Sequence, residues 1–155
     1  AHLFTMRVFR CVPEEIRFNA FGIDIVRPCG INRSYRKDAL ISLAGPFANL
    51  AAGLPALLFG GSGTSLFASA NLLLFLVNIL PIEPLDGGQA LYFLLCRRES
   101  SEKAAKAVSV LSFVTLTPLA AMGFFVLFRS RYNFSLLLAC VYLTALLLMK
   151  KDAQL

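Results

Sequence analysis

Asn78-Ile79-Leu80-Pro81-Ile82-Glu83-Pro84-Leu85-Asp86-Gly87-Gly88 follows directly on an apolar run over residues 72–77. A carboxylate, an amide, two prolines and a glycine pair are poor packing material in so apolar a segment. Pro81 and Pro84 have no backbone N–H and interrupt the helical ladder, whereas Gly87 and Gly88 let other backbone approach closely. The stretch therefore predicts a broken helix. In hydrocarbon, broken backbone survives only where protein or a watery cavity satisfies it, and an acidic residue at that depth marks a functional site. Asp86 is thus the first candidate for a catalytic or ligating group. A turn at the membrane surface with a solvated aspartate is the competing reading, and the rest of the chain has to decide between them.

Of the 155 residues, 57% are hydrophobic and only 15% charged, with a mean hydropathy of +0.70. That is more apolar surface than one soluble core of this size needs, so the chain reads as a membrane protein embedded in a lipid bilayer. Four windows, 39–60, 66–85, 104–128 and 132–149, match a hydrocarbon core of about 30 Å. They predict an all-α polytopic protein with four transmembrane helices, arranged as two tight hairpins in a single membrane-embedded domain over 1–155.

The net charge of +6 has a topological cause. Its basic residues are neither interleaved with aromatics nor gathered on one amphipathic face, which argues against nucleic acid as a partner. With four spans, Arg7, Arg10, Arg17, Arg27, Arg33, Arg36 and Lys37 fall on the same side as Arg97, Arg98, Lys103, Lys106, Lys150 and Lys151. The other side receives residues 61–64 plus Arg129 and Arg131. The positive-inside rule then places the protein in the cell membrane, multi-pass, with both ends cytoplasmic and Asp86 near the cytoplasmic face.

Residues 1–10 read as the end of a helix, with Arg7 and Arg10 where it would leave the bilayer. His2 is the sole histidine of the sequence, so any imidazole chemistry within it must use that residue, although a lone histidine is more often incidental. The opening residues have no apolar signal core and no start methionine, which reads as the interior of a longer protein. Cys11, Cys29, Cys96 and Cys140 show no C-x-x-C spacing and read as free thiols. Over residues 15–26 the pattern alternates and predicts a short β-hairpin at the membrane surface. It either offers an edge to an extended peptide or merely connects two helices.

The first window carries Gly45-Pro46-Phe47-Ala48-Asn49, with small Ser42, Ala44, Gly45 and Ala48 allowing close helix approach and Pro46 freeing a carbonyl one turn back. Asn49 sits at about the depth expected for Asp86, either as interhelical glue or as part of a polar pocket. Asn78 either lines that pocket or caps carbonyls released by Pro81. The last two windows hold no acid and no histidine and read as scaffold.

Together, His2 at a helix end, the stretch Ser42-Leu43-Ala44-Gly45-Pro46-Phe47-Ala48-Asn49, and the Asn78, Pro81, Leu85, Asp86, Gly87, Gly88 motif resemble the site-2 protease family of intramembrane zinc metalloproteases. The closest likeness is to its compact branch around stage IV sporulation protein FB. The resemblance implies a Zn2+ cofactor, with His2 as the second histidine of an H-E-x-x-H motif and Asp86 as the carboxylate ligand. The first histidine and the glutamate base would precede residue 1, which would leave residues 1–155 alone inactive. It implies that Asn49 and Asn78 contact the substrate or polarise its scissile carbonyl, and that Gly45, Pro46, Pro81, Leu85, Gly87 and Gly88 are structural motif positions. A catalytic zinc takes three protein ligands and keeps a fourth position for water. The implied activity is a metalloendopeptidase of regulated intramembrane proteolysis, cutting a membrane-spanning or membrane-associated protein near the cytoplasmic face. Selection of that substrate would come from the membrane part or from a separate regulatory membrane subunit. A proteolytically inactive binding module of the same fold and a transporter with discontinuous helices are the alternatives; the latter should show inverted repeats, and none is visible.

Overall fold

The computed structural model describes residues 1–9, 15–19, 22–26, 34–129 and 134–152. Helix α1 (His2–Val8) leads to strands β1 (Glu15–Asn19) and β2 (Gly22–Val26), followed by α2 (Tyr35–Phe59), a 3-10 turn (Ser62–Thr64), α3 (Ser65–Asn78), α4 (Asp86–Leu95), α5 (Ser101–Arg129) and α6 (Ser135–Asp152). The strands pair antiparallel, Glu15 opposite Val26 and Asn19 opposite Gly22, and make a two-stranded sheet. Cys11, Cys29 and residues 20–21, 27–33 and 130–133 lie outside the described residues.

Helices carry the architecture. Among the described residues, two are long and apolar enough to cross a membrane, Tyr35–Phe59 and Ser101–Arg129. The expected bundle of four transmembrane helices is therefore corrected to two. At 1.5 Å per residue these helices reach about 38 and 44 Å, whereas α3 reaches only about 21 Å. The physical reason is the Pro81/Pro84 break: it splits the 66–85 window, so that α3 stops at Asn78 and the chain resumes helical form only at Asp86. In the last window the apolar stretch Ser135–Leu148 is likewise short of a full span.

Helix α2 is the hub, packing against α1, α3 and α4, while α4 also meets α5 and α5 meets α6. It continues through Pro46 and Pro55. At the α2–α3 crossing, a Cβ on Gly53 would lie 3.1 Å from the Ala68 carbonyl, the close approach that small residues permit. One core joins α2 and α4 through Ala39, Ala90 and Phe93, flanked by Tyr35, Leu43 and Tyr92. A second gathers Ile82 of the break with Leu116 of α5 and Leu147 of α6. The proline-rich break is thus gripped by the last two helices, and this fixes where α4 begins.

Candidate metal centre

Asp86 is the first residue of α4, with extended Leu85 ahead of it at φ −91°, ψ 161°. A carboxylate in the first turn of a helix meets the positive end of the helix dipole and free backbone N–H groups. The chain reaches this position through a tight loop. Ile82 N–H donates to the Leu80 carbonyl and Leu85 N–H to the Ile82 carbonyl, both at 2.8 Å. Each proline disfavours helical backbone at the residue before it, Leu80 and Glu83, which opposes helix through the loop. Gly87 and Gly88 let it double back: a Cβ on Gly88 would stand 2.7 Å from the Glu83 nitrogen, and one on Gly87 would collide with the Ile79 and Leu80 carbonyls.

His2 opens α1, and its Nδ1–H donates to the Ile41 carbonyl of α2 at 2.8 Å. That carbonyl neighbours the one that Pro46 has no N–H to meet. The bond fixes the ring and turns Nε2 toward Asp86, whose Oδ2 lies 3.5 Å away. The two side chains come from sequence positions 2 and 86 and are brought together by α2, which α1 and α4 both touch. At 3.5 Å they are too far apart for a strong direct hydrogen bond. Two ligands of one tetrahedral zinc, each bonded at about 2.0–2.2 Å, stand about 3.3–3.5 Å from one another. The donor pair therefore fits a shared metal. The side chains retain 34% and 25% of their exposure, so the pair is reachable and not sealed in a core.

Gly45 keeps the space between the two ligand candidates open. A Cβ there would fall 2.8 Å from Asp86 Oδ2 and would clash with His2 Nε2. Pro46, beside it, is buried. Gly45, Asn49 and Gly53 recur every four residues, placing Asn49 on the same face of α2 one turn beyond the pair. Asn49 and Asn78 are both partly buried, and neither holds a buried amide atom without a partner. Leu85, at the cap of α4, packs on the core around Ile82.

Among the described residues no three His, Cys, Asp or Glu side chains form a metal-binding cluster. The described cysteines Cys96, at the C-cap of α4, and Cys140, in α6, are free and buried. Sequence reasoning did not single out Ser112 of α5, whose hydroxyl meets the Glu83 N–H at 2.9 Å. A serine in an apolar helix ordinarily bonds its own backbone one turn back, and nothing in the sequence separates Ser112 from Ser109. The Ile41 carbonyl was equally invisible, since main-chain partners carry no residue signature.

Residues 61–119 match the model of peptidase family M50, the site-2 protease family, a stretch that contains Asn78, Pro81, Leu85, Asp86, Gly87 and Gly88. The match supports the family resemblance read from the sequence and with it a membrane protease role. Members of that family are in general zinc metalloproteases, and the two membrane-capable helices accord with a membrane protein. No curated protein shows a match to the chain.

Proposed function

We propose, for a chain that matches peptidase family M50 over residues 61–119, that it forms the membrane-embedded part of a zinc endopeptidase that cuts a membrane-spanning or membrane-associated protein in regulated intramembrane proteolysis. The observation that carries this reading is the 3.5 Å approach of His2 Nε2 to Asp86 Oδ2 across the gap left by Gly45. Zinc, when bound, supplies a Lewis acid that polarises a carbonyl and makes water nucleophilic near neutral pH.

The chain's own residues do the positioning. His2 offers Nε2 because its Nδ1–H is committed to the Ile41 carbonyl, the kind of outer partner that fixes the tautomer and ring plane of a ligating histidine. Asp86 presents its carboxylate from the first turn of α4, at the positive end of the helix dipole. The first histidine and the glutamate base of the resemblance are assigned to a segment preceding Ala1. Asn49 and Asn78 are assigned to the substrate backbone, donating amide N–H groups to the scissile carbonyl. Exposed Arg36 and Lys37 at the start of α2, and Arg97, Arg98, Lys103 and Lys106 around the start of α5, support a cytoplasmic setting for this end. A membrane-protein substrate and a separate regulatory subunit complete the proposal.

Residues 1–155 contribute two ligands where a catalytic zinc uses three. Purified alone in detergent, they should neither retain stoichiometric zinc nor cleave a membrane peptide, whereas a form extended upstream through an H-E-x-x segment should do both. Metal content and peptide cleavage measured side by side decide this. Cleavage by the short form would overturn the assignment of roles, and an inactive extended form with H-E-x-x-H intact would turn the reading into a binding module.

A further inference from the structure

Ser112 is wholly buried in α5. Its hydroxyl accepts the Glu83 N–H at 2.9 Å and donates to the Val108 carbonyl at 2.7 Å, with the Pro81 carbonyl a longer neighbour at 3.4 Å. One hydroxyl carries a single proton, so the short Val108 bond takes it and a lone pair serves Glu83. Three threonines of the last two helices behave differently: Thr115, Thr117 and Thr144 each bond only the carbonyl one turn back in their own helix. Ser112 alone among these reaches across to another segment.

That segment is the break. The Glu83 N–H lies between two prolines, where no helical carbonyl can take it, and an unpaired N–H at this depth is costly. The same nitrogen rests on Gly88, and Ile82 beside it is fully buried against Leu116, one turn along α5 from Ser112, and Leu147 of α6. The loop leads within three residues to Asp86. Whatever holds Glu83 therefore holds the start of α4 and the aim of its first carboxylate.

We propose that Ser112 is a positioning residue for Asp86: through its bond to the Glu83 N–H it locks the break, so that the carboxylate is preset beside His2 before a metal arrives. This deepens the zinc reading above and rests on it. Outer partners of metal ligands change affinity by roughly 10- to 100-fold when removed, and Ser112 acts one step further out, through the backbone.

The test uses the full-length protein in detergent, with zinc affinity measured by chelator competition and amide hydrogen exchange followed over residues 82–86. Ser112→Ala should weaken zinc binding about tenfold or more and raise exchange at the Glu83 amide by a comparable factor. Ser112→Cys, near in size but a weaker acceptor, should fall between the two and covers the case in which the alanine variant does not fold. Val108→Ala thins the same helix core without removing the hydroxyl; it should lower the unfolding temperature and leave zinc affinity unchanged. Zinc binding by both Ser112 variants within twofold of the parent, while Asp86→Asn abolishes it, would overturn this proposal alone. Zinc binding indifferent to Asp86→Asn would overturn the zinc reading itself, and this proposal with it.

Discussion

The end of the molecule where α1, α2 and α4 meet and the pair formed by α5 and α6 are built from different materials. At the first, a histidine, an aspartate and a glycine converge within a few ångströms, backbone turns tightly at two prolines, and a ring is oriented by a main-chain carbonyl. At the second, Ala120, Phe124, Leu137, Cys140, Val141, Thr144, Ala145 and Leu148 line an apolar cleft of about 370 Å³. The contrast teaches a division of labour. Chemistry needs irregular backbone, irregular backbone in an apolar surrounding needs partners, and the regular helices supply them through Ser112, Leu116 and Leu147.

Gly45→Ala should disturb the first region most. Its Cβ would enter the gap between His2 Nε2 and Asp86 Oδ2, so zinc affinity of the full-length protein should fall more than about 100-fold, beyond the range of outer partners. Overpacking should cost roughly 1–3 kcal/mol of stability. Calorimetric titration and thermal unfolding check the two effects separately, and a variant that binds zinc normally would show that the gap is not a metal cradle.

Asn49→Leu and Asn78→Leu come next. If the amides donate to the substrate carbonyl, each should lower cleavage by roughly 10²-fold, as loss of one such donor does elsewhere, with little change in folded yield. Equal loss of folded protein and of cleavage would return both residues to interhelical glue.

Leu148→Ala on the cleft of the second region should do least. Its side chain is about half exposed, so stability should move by no more than about 0.5 kcal/mol, with zinc binding and cleavage unaltered. A large loss of cleavage there would erase the division between the two regions.

Much of the site could be read in the one-dimensional pattern. Two prolines and a glycine pair cannot continue a helix for reasons internal to those residues, and the break between Asn78 and Asp86 is where they demand it. An aspartate in so apolar a stretch, and a single histidine, are conspicuous whatever surrounds them. The number of spans was misjudged for the opposite reason: hydropathy windows count apolar residues without registering where helix stops, at Asn78 ahead of Pro81 and Pro84 in one window and with only Ser135–Leu148 apolar and helical in the other.

The sequence by itself determined the membrane-grade composition, the place of the break and the residue types able to bind a metal, because these follow from side-chain polarity and from the backbone limits of proline and glycine. Only the tertiary structure decided that His2 and Asp86 meet at 3.5 Å, that the Ile41 carbonyl turns the imidazole, and that Ser112 of α5 bonds the loop leading into Asp86. Those facts depend on contacts across 84, 39 and 29 positions and on main-chain atoms that every residue possesses. No local pattern encodes such contacts; they exist once α2 is in place for α1 and α4 to pack against, and α5 for the break.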